Sequence, residues 1–118
     1  MKQSFPLVVT TNGILTIRFS DSAVCQSFDV ACVVDLTDFG DVLGIEVLDW
    51  QRQLSGGKIG GVSPSHPPRW AYDEEIDALS ICISEGYSQI QRPTSCKVSL
   101  DASKGAVCLE LLVPAASR

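Results

Sequence analysis

Two stretches of sequence decide the fold: Leu15-Thr16-Ile17-Arg18-Phe19-Ser20 and Leu79-Ser80-Ile81-Cys82-Ile83-Ser84. In both, large apolar residues stand at every second position, with polar or small residues between them. Successive side chains of a β-strand point to opposite faces of the sheet, so this alternation predicts two half-buried strands. Leu15 matches Leu79 at an offset of 64 residues, and that offset extends well beyond the two stretches.

The chain contains two copies of an internal repeat, offset by 64 residues. Residues 32–36 (CVVDL) align with 96–100 (CKVSL), and residues 43–48 (LGIEVL) align with 107–112 (VCLELL), without a gap. Because the alternation agrees better than the identities, we predict that both copies bury the same face. The predicted core consists of Leu15, Ile17, Phe19, Val34, Leu36, Leu43, Ile45 and Val47, with Leu79, Ile81, Ile83, Val98, Leu100, Val107, Leu109 and Leu111 from the second copy.

Turn residues divide each copy into short strands. Asn12-Gly13 predicts a two-residue hairpin turn, because both residues accept a positive φ. Residues 55–68 are dense in glycine and proline, which predicts a linker between repeat one (5–54) and repeat two (69–113). Before the linker, one or two helical turns are predicted near residues 49–54, with Asp49 as N-cap. The predicted strands are 5–11, 14–20, 24–28, 31–37 and 42–48, then 69–72, 78–84, 87–91, 95–100 and 106–112.

These elements predict a single, mainly-β domain. Two tandem, pseudo-symmetric β-meander repeats would pack as a sandwich or a partly closed barrel; one continuous sheet is the remaining alternative. A lone meander has a wet face, a bare apolar face and free edges, so pairing two copies solves the burial problem. An apolar content of 45% with 19% charged residues is ordinary for a globular domain and argues against disorder.

Composition also narrows the class of partner and compartment. The formal net charge is −5, and the basic residues are scattered, which argues against nucleic-acid binding. No apolar run is long enough to span a bilayer, and the run at residues 5–9 is too short for a signal-peptide core. Five cysteines without a C-x-x-C pair do not form a disulfide framework. We therefore expect a cytoplasmic protein with reduced thiols and no membrane partner.

The densest charge cluster is the turn at residues 73–77. Carboxylates of Asp73, Glu75 and Asp77 are the oxygen ligands that a hard cation such as Ca²⁺ takes, although the spacing lacks the D-x-D-x-D-G pattern of a calcium loop. The alternative is a solvated hairpin tip in which Asp73 and Asp77 accept hydrogen bonds from nearby backbone N–H groups. The second interpretation is favoured, and a cation- or ligand-binding role for this turn is the alternative function.

No pattern in the sequence predicts an enzyme or a cofactor. Glu46 shares the polar face with Arg18 and Asp35, so the three are a candidate cross-strand polar triad, more typical of an ion pair than of acid–base chemistry. An enzyme would need a deep pocket lined by Asp35, Glu46 or Cys82. The spacing of the cysteines and of the single histidine, His66, fits no zinc site, and buried free cysteines are predicted. Cys82 and Cys108 fall on the polar face, so these two are the candidates for reactivity.

Two tryptophans bracket the linker. Trp50 and Trp70 are candidate interaction residues, because tryptophan is a frequent anchor of protein interfaces. Their structural alternative is to pin the ends of the linker onto the sheet. The predicted function is a non-enzymatic interaction module that binds an unknown protein partner at a strand edge or at the two tryptophans. A homodimer is another way of covering the edges.

Two segments resemble a known family. Residues 72–81 (YDEEIDALSI) are similar to the opening signature of the bacterial domain of unknown function 2283, and residues 34–48 (VDLTDFGDVLGIEVL) resemble its closing signature. Each copy has lost the signature that the other keeps, so the chain resembles a divergent tandem duplication of the family unit. The resemblance implies a small β-rich fold without an established activity, and an antitoxin-like role in binding a partner protein.

Overall fold

The computed structural model describes residues 5–87 and 90–113 of the chain. Strands account for 54% and helix for 4% of the structure, which confirms the prediction of a mainly-β fold with one short helix. In chain order the elements are β1 (Leu7–Thr11), β2 (Ile14–Arg18), β3 (Gln26–Leu36), β4 (Val42–Leu48), α1 (Trp50–Gln53), β5 (Arg69–Asp73), β6 (Ala78–Cys82), β7 (Ile90–Leu100) and β8 (Ala106–Leu112).

All eight strands belong to one antiparallel sheet that curls into a half-barrel. Its spatial order is β1-β2-β8-β7-β3-β4-β6-β5. Of the packings left open by the sequence, the structure shows the partly closed one, made of one continuous sheet instead of two stacked sheets. The meander is interrupted at two places. In the sheet, β8 and β7 lie between β2 and β3, and β3 and β4 lie between β7 and β6.

A pseudo-two-fold axis passes through the centre of the sheet. The bounds of β2, β3 and β4 differ from those of β6, β7 and β8 by the 64-residue offset. At the axis, β3 pairs with β7 and Ala31 lies opposite Ser95, its own equivalent. The copies also exchange neighbours, since β2 pairs with β8 and β4 pairs with β6. Each copy therefore completes the sheet of the other.

The concentration of apolar residues on one face confirms the predicted core. All the predicted core residues are buried except Ile83, which is partly buried against the core cluster. Leu43 and Val107 are buried but do not belong to that cluster, because the register shifts beside them in both copies. The core also takes in Val30, Cys32 and Cys96 from the two central strands. Trp50 of α1 and Leu54, which directly follows the helix, also belong to the core and are 1% and 0% exposed. The helix thus packs on the buried face of the sheet.

The strand breaks predicted near residues 29–30 and 92–94 are wrong. β3 runs unbroken through Asp29, because that side chain lies on the exposed face while Val30 is buried. β7 runs unbroken through Pro93, which lies beyond the part of β7 that pairs with β8. A proline is tolerated there, since its missing N–H is not needed by a second neighbour. Residues 88 and 89 of the predicted strand 87–91 lie outside the described residues.

Helix α1 confirms the predicted helical turn but not its cap. Asp49 has a left-handed backbone (φ 53°) and its side chain makes no capping hydrogen bond. The carboxylate of Asp77 in copy two caps the helix instead. It accepts hydrogen bonds from the N–H of Gln51 at 2.9 Å and 3.1 Å and from the N–H of Arg52 at 3.4 Å. A residue 26 positions downstream of Gln51 thus replaces the local cap.

Candidate interaction site

The sheet ends in two edge strands, β1 and β5. Both begin directly after a proline, Pro6 and Pro68, and both of these prolines follow a cis peptide bond. Proline lacks an N–H, which makes it common at sheet edges. The two edges are therefore built alike, but their surroundings differ.

The linker covers the β5 edge. The Trp70 N–H points away from β6 and donates to the Ser63 hydroxyl at 2.8 Å. The Arg69 guanidinium donates to the Ser65 carbonyl at 3.0 Å. These contacts hold Ser63 and Ser65 against Arg69 and Trp70, so the linker covers the first part of the β5 edge. Covering a strand with a loop is a common way to protect an edge.

The β1 edge has no such cover among residues 5–87 and 90–113. Thr11 and Ile14 flank the turn at Asn12 and Gly13, where both φ angles are positive, as predicted. In such a hairpin the flanking pair exchanges backbone hydrogen bonds, so every second residue from Thr11 faces β2. The N–H and C=O groups of Val8 and Thr10 consequently point away from the sheet. They form the outer ladder positions of the edge.

Apolar side chains lie beside this edge on the outer face of the sheet. Ile14 stands opposite Leu112, and the two side chains are 39% and 75% exposed. Val9, on the edge strand itself, is 49% exposed. We call Val9, Ile14 and Leu112 the edge patch. An apolar patch next to an open ladder is typical of a surface that pairs with another chain.

The acidic turn is organised by internal hydrogen bonds. Asp73 accepts the Glu75 N–H at 3.0 Å, which is the local bond predicted for a hairpin tip. Asp77 accepts the Tyr72 hydroxyl at 2.6 Å in addition to the helix N–H groups. Among the described residues, no group of three or more His, Cys, Asp or Glu side chains could hold a metal ion. The carboxylates of Asp73, Glu75 and Asp77 are thus not gathered into a metal site.

The pKa values of Tyr72 and Asp77 reflect their shared hydrogen bond. The bond to Asp77, followed by partial burial and the charges of Asp77, Glu74 and Asp73, raises the pKa of Tyr72 to about 12. Desolvation acts to raise the pKa of Asp77, but the bonds from Tyr72, Gln51 and Arg52 together outweigh it and lower that pKa. The Asp77 carboxylate is therefore held in its charged form by structural partners.

The two tryptophans have different fates. The prediction that Trp50 is an interaction residue is wrong, because the side chain is 1% exposed within the core. Its indole Nε1 has no hydrogen-bond partner in the described part of the chain. Trp70 is half-buried against the core, and its backbone holds the linker, which agrees with the alternative role of pinning the linker. Neither tryptophan forms an exposed docking surface.

The predicted triad of Arg18, Asp35 and Glu46 does not assemble. Arg18 lies on β2, opposite Cys108 of β8, in the other half of the sheet from Asp35 and Glu46. Its guanidinium donates to the Ser20 carbonyl at 3.2 Å. Asp35 and Glu46 instead line an open groove of about 570 Å³ on the outer face of β3, β4, β6 and β5, together with Cys82 and Arg69. The sequence did not predict this groove because linker residues Ser63 and Pro64 form one of its walls.

The cysteines are free thiols: Cys32, Cys96 and Cys108 are buried as predicted, whereas Cys25 is exposed. Cys32 and Cys96 are equivalents in the two copies and hydrogen-bond to each other across the central strands. That bond lowers the pKa of Cys32 against the effect of burial, and the bond and burial together raise the pKa of Cys96. Cys82, predicted on the polar face, is partly buried, and its thiol lies 3.7 Å from the Ser84 carbonyl oxygen.

Comparison with known proteins adds no relative. No family model, no curated protein and no solved structure matches this chain. The resemblance to the domain of unknown function 2283 therefore stays a prediction. No helix among the described residues is both long enough and apolar enough to cross a membrane.

Proposed function

We propose that the chain is a non-enzymatic interaction module that binds an extended segment of a partner protein along β1. The observation that carries the proposal is the difference between the two edges. The linker covers the start of β5, at Arg69 and Trp70, whereas the described residues leave the outer ladder of β1 open beside the edge patch. An added strand gains backbone hydrogen bonds from the ladder and specificity from alternate side chains.

The edge defines the chemistry of the partner segment. The outer N–H and C=O groups of Val8 and Thr10 would pair with a strand of at least a few residues. Side chains of that strand on the outer face would lie beside Val9, so apolar residues at every second position are expected. The net charge of −5 favours a partner of basic character, through faster encounter more than through tighter binding. Such a role agrees with the antitoxin-like function implied by the family resemblance.

The proposal places the protein in the cytoplasm, because all five thiols are free and a reducing compartment keeps them so. It assigns no catalytic role to the chain. A metal role for the acidic turn is not favoured, since Asp73 and Asp77 already bind the backbone or the Tyr72 hydroxyl.

The test changes Thr10, whose N–H points away from β2, so the outer hydrogen-bonding ladder of β1 is altered while its pairing with β2 is kept. Thr10→Pro removes one outward N–H while leaving the bonds to β2, and Thr10→Ala removes the side chain but keeps that N–H. Each variant is used as affinity bait in an extract of the source cells, and its thermal midpoint is measured alongside. We expect a stoichiometric partner with the wild-type chain and with Thr10→Ala, and a loss of about tenfold or more in its recovery with Thr10→Pro.

The patch is tested separately with Leu112→Ser, because Leu112 is the most exposed member and supports no core contact. The Leu112→Ser variant should recover less of the partner, while its thermal midpoint stays the same as that of the wild type. A partner retained equally by Thr10→Pro and the wild type would contradict strand addition at β1. A wild-type dimer that Thr10→Pro converts to a monomer would show that a second copy occupies the edge instead.

A further inference from the structure

We propose that the groove on the outer face of β3, β4, β6 and β5 binds a small basic amino acid, with its cationic side chain at Glu46 and its carboxylate at Arg69. The groove lies in the opposite half of the sheet from β1, so the proposal is independent of strand addition. Its volume of about 570 Å³ is in the range of small-molecule sites.

Small residues form the floor of the groove. Gly44, Ala71 and Ser80 lie there on three neighbouring strands, β4, β5 and β6. Gly44 cannot be larger, because a Cβ at this position would lie 2.7 Å from the Ile81 carbonyl oxygen. The equivalent of Gly44 in copy two is Cys108, a buried side chain. The depth of the groove is therefore fixed by backbone packing and belongs to one half of the molecule.

The linker gives the groove its wall. Ser63 and Pro64 line it above β5, held there by the hydrogen bond from Trp70. Residues Ser84 and Gly86 line its other end. The linker joins the copies and has no counterpart in the repeat. It therefore makes the two outer faces differ where the two sequences would otherwise build the same surface.

Glu46 supplies an uncompensated charge to the groove. Its equivalent, Glu110, lies opposite Lys97, which in turn lies opposite Asp29, so charges alternate along that row. Glu46 lies opposite Val33 on one side and Ser80 on the other. Within residues 5–87 and 90–113, no hydrogen bond or ion pair reaches its carboxylate. The loss of the basic neighbour leaves a place that an ammonium or guanidinium group of a ligand would fill.

Asp35 adds a second carboxylate beside Glu46. The Gln91 amide donates to Asp35 Oδ1 at 2.9 Å, which orients the carboxylate. Asp35 lies opposite Gly44, one row along from Glu46, so the two acidic side chains share one wall. Two carboxylates against one guanidinium give the groove a net negative charge, so a ligand with a cationic group is favoured over an anion.

Arg69 marks the other end of the ligand. It lies on β5, two strands away from β4 and in the row of Gly44 and Cys82, so its backbone is about 12 Å from that of Glu46. The long side chains of both residues shorten the span that a ligand must bridge. An extended amino acid with a terminal cation carries opposite charges at its two ends, as the groove does. A guanidinium is also the side chain best suited to bind a carboxylate in a bidentate manner.

The experiment titrates the full-length chain with L-arginine, agmatine and L-glutamate at low ionic strength and follows binding by calorimetry and amide NMR shifts. Agmatine keeps the guanidinium but lacks the carboxylate, so its affinity measures binding at Glu46 without binding at Arg69. We expect saturable binding of L-arginine with a Kd of about 1 mM or below, weaker binding of agmatine, and none of L-glutamate.

Three variants assign the residues. Glu46→Gln should weaken the binding of L-arginine and agmatine by about tenfold or more. Arg69→Gln also removes the bond to the Ser65 carbonyl, so it should weaken L-arginine clearly more than agmatine. Glu110→Gln is the matched control, since it removes the equivalent carboxylate outside the groove; its affinity should stay within about twofold of the wild type. Thermal midpoints confirm that each variant is folded. Equal binding of L-arginine and L-glutamate, no saturation by L-arginine, or equal losses from Glu46→Gln and Glu110→Gln would each overturn the proposal.

Discussion

Asp77 joins the two copies through a single side chain. Its backbone carbonyl accepts the Trp50 N–H at 3.0 Å, and its carboxylate accepts the next two N–H groups of α1. Gly13 occupies the equivalent position in copy one, and both residues have a positive φ. The carboxylate is therefore present in copy two alone, and it caps a helix that copy one supplies. The sequence displayed this residue only as part of an acidic turn.

The first prediction concerns that carboxylate. Asp77→Gly keeps a residue suited to the left-handed backbone but leaves the N–H groups of Gln51 and Arg52 without their cap. We expect the free energy of unfolding to fall by about 1 kcal/mol, the usual effect of an exposed cap after screening by solvent. Urea denaturation measures it. Asp73→Asn keeps an oxygen for the Glu75 N–H and serves as the control, with a change within about 0.5 kcal/mol.

The contribution of Asp77 also depends on pH in a definite direction. Its pKa lies below the ordinary value of 3.8 in the folded state, so the folded chain favours the charged form. The stabilisation is then complete above the unfolded pKa and is lost as the pH falls through the folded pKa. The difference between the wild type and Asp77→Gly should be constant near neutral pH and shrink in acid below about pH 4. A difference that grows in acid would contradict this assignment.

The side-chain amide of Gln53 replaces backbone hydrogen bonds that a longer β4 would make to β3. β4 ends at Leu48, whereas β3 begins as far back as Gln26. The N-terminal part of β3 therefore extends beyond the hydrogen bonds that join β3 to β4. The Gln53 amide oxygen accepts the Ala31 N–H at 2.7 Å, and its amide nitrogen donates to the carbonyls of Ala31 at 3.1 Å and Leu48 at 2.7 Å. The side-chain amide thus presents to Ala31 the same donor and acceptor that a backbone peptide would.

The second prediction tests this substitute for a strand. Gln53→Ala leaves the N–H and C=O of Ala31 without the amide, and water replaces it only in part because Gln53 is half-buried. We expect a loss of about 1 kcal/mol in the free energy of unfolding, with faster exchange of the Ala31 amide hydrogen. Gln51→Ala, on the exposed side of the same helix, is the matched control. Equal effects from both variants would mean that helix propensity, and not the amide bonds, determines the result.

At the level of elements, alternation predicted the buried face of nearly every strand. It predicted Leu15, Ile17 and Phe19 correctly because each strand has one wet face and one buried face. It failed at Asp29 and Pro93, since a polar or proline residue on an exposed position resembles a turn signal when neighbours are unknown. The cap of α1 escaped prediction for a similar reason, because Asp77 reaches the helix only after the chain has folded back.

At the level of the whole molecule, the repeat was readable but the exchange of neighbours was not. Alternation reports which face of a strand is buried and carries no information on which strand lies beside it. The pairing of β2 with β8 and of β4 with β6 therefore needed the structure. The groove and the open edge both depend on this arrangement and on the path of the linker. Those are long-range features, and the residues that line them carry no sequence motif.

The exchange makes the two copies mutually dependent, which leads to the final prediction. Three strand pairings, β2 with β8, β3 with β7 and β4 with β6, join one copy to the other, and the pairing of β3 with β7 is the longest in the sheet. A single copy would expose the apolar face of four strands and lose the neighbours of three. Separate fragments covering residues 1–60 and 61–118 should therefore be poorly folded alone.

Mixing the two fragments should restore the native sheet, because the cut falls between Gly60 and Gly61, which are exposed and where an added Cβ would meet no atom within 4 Å. We expect a 1:1 complex by ultracentrifugation, with amide NMR shifts matching those of the intact chain and a stability that rises with concentration. Self-pairing of one fragment is the competing assembly, since the copies share their buried face, and its shifts would differ near Ala31 and Ser95, where the two sequences meet at the axis. A fragment that folds as a stable monomer would contradict the interdependence, because four strands would then suffice to bury a core that the structure builds from eight.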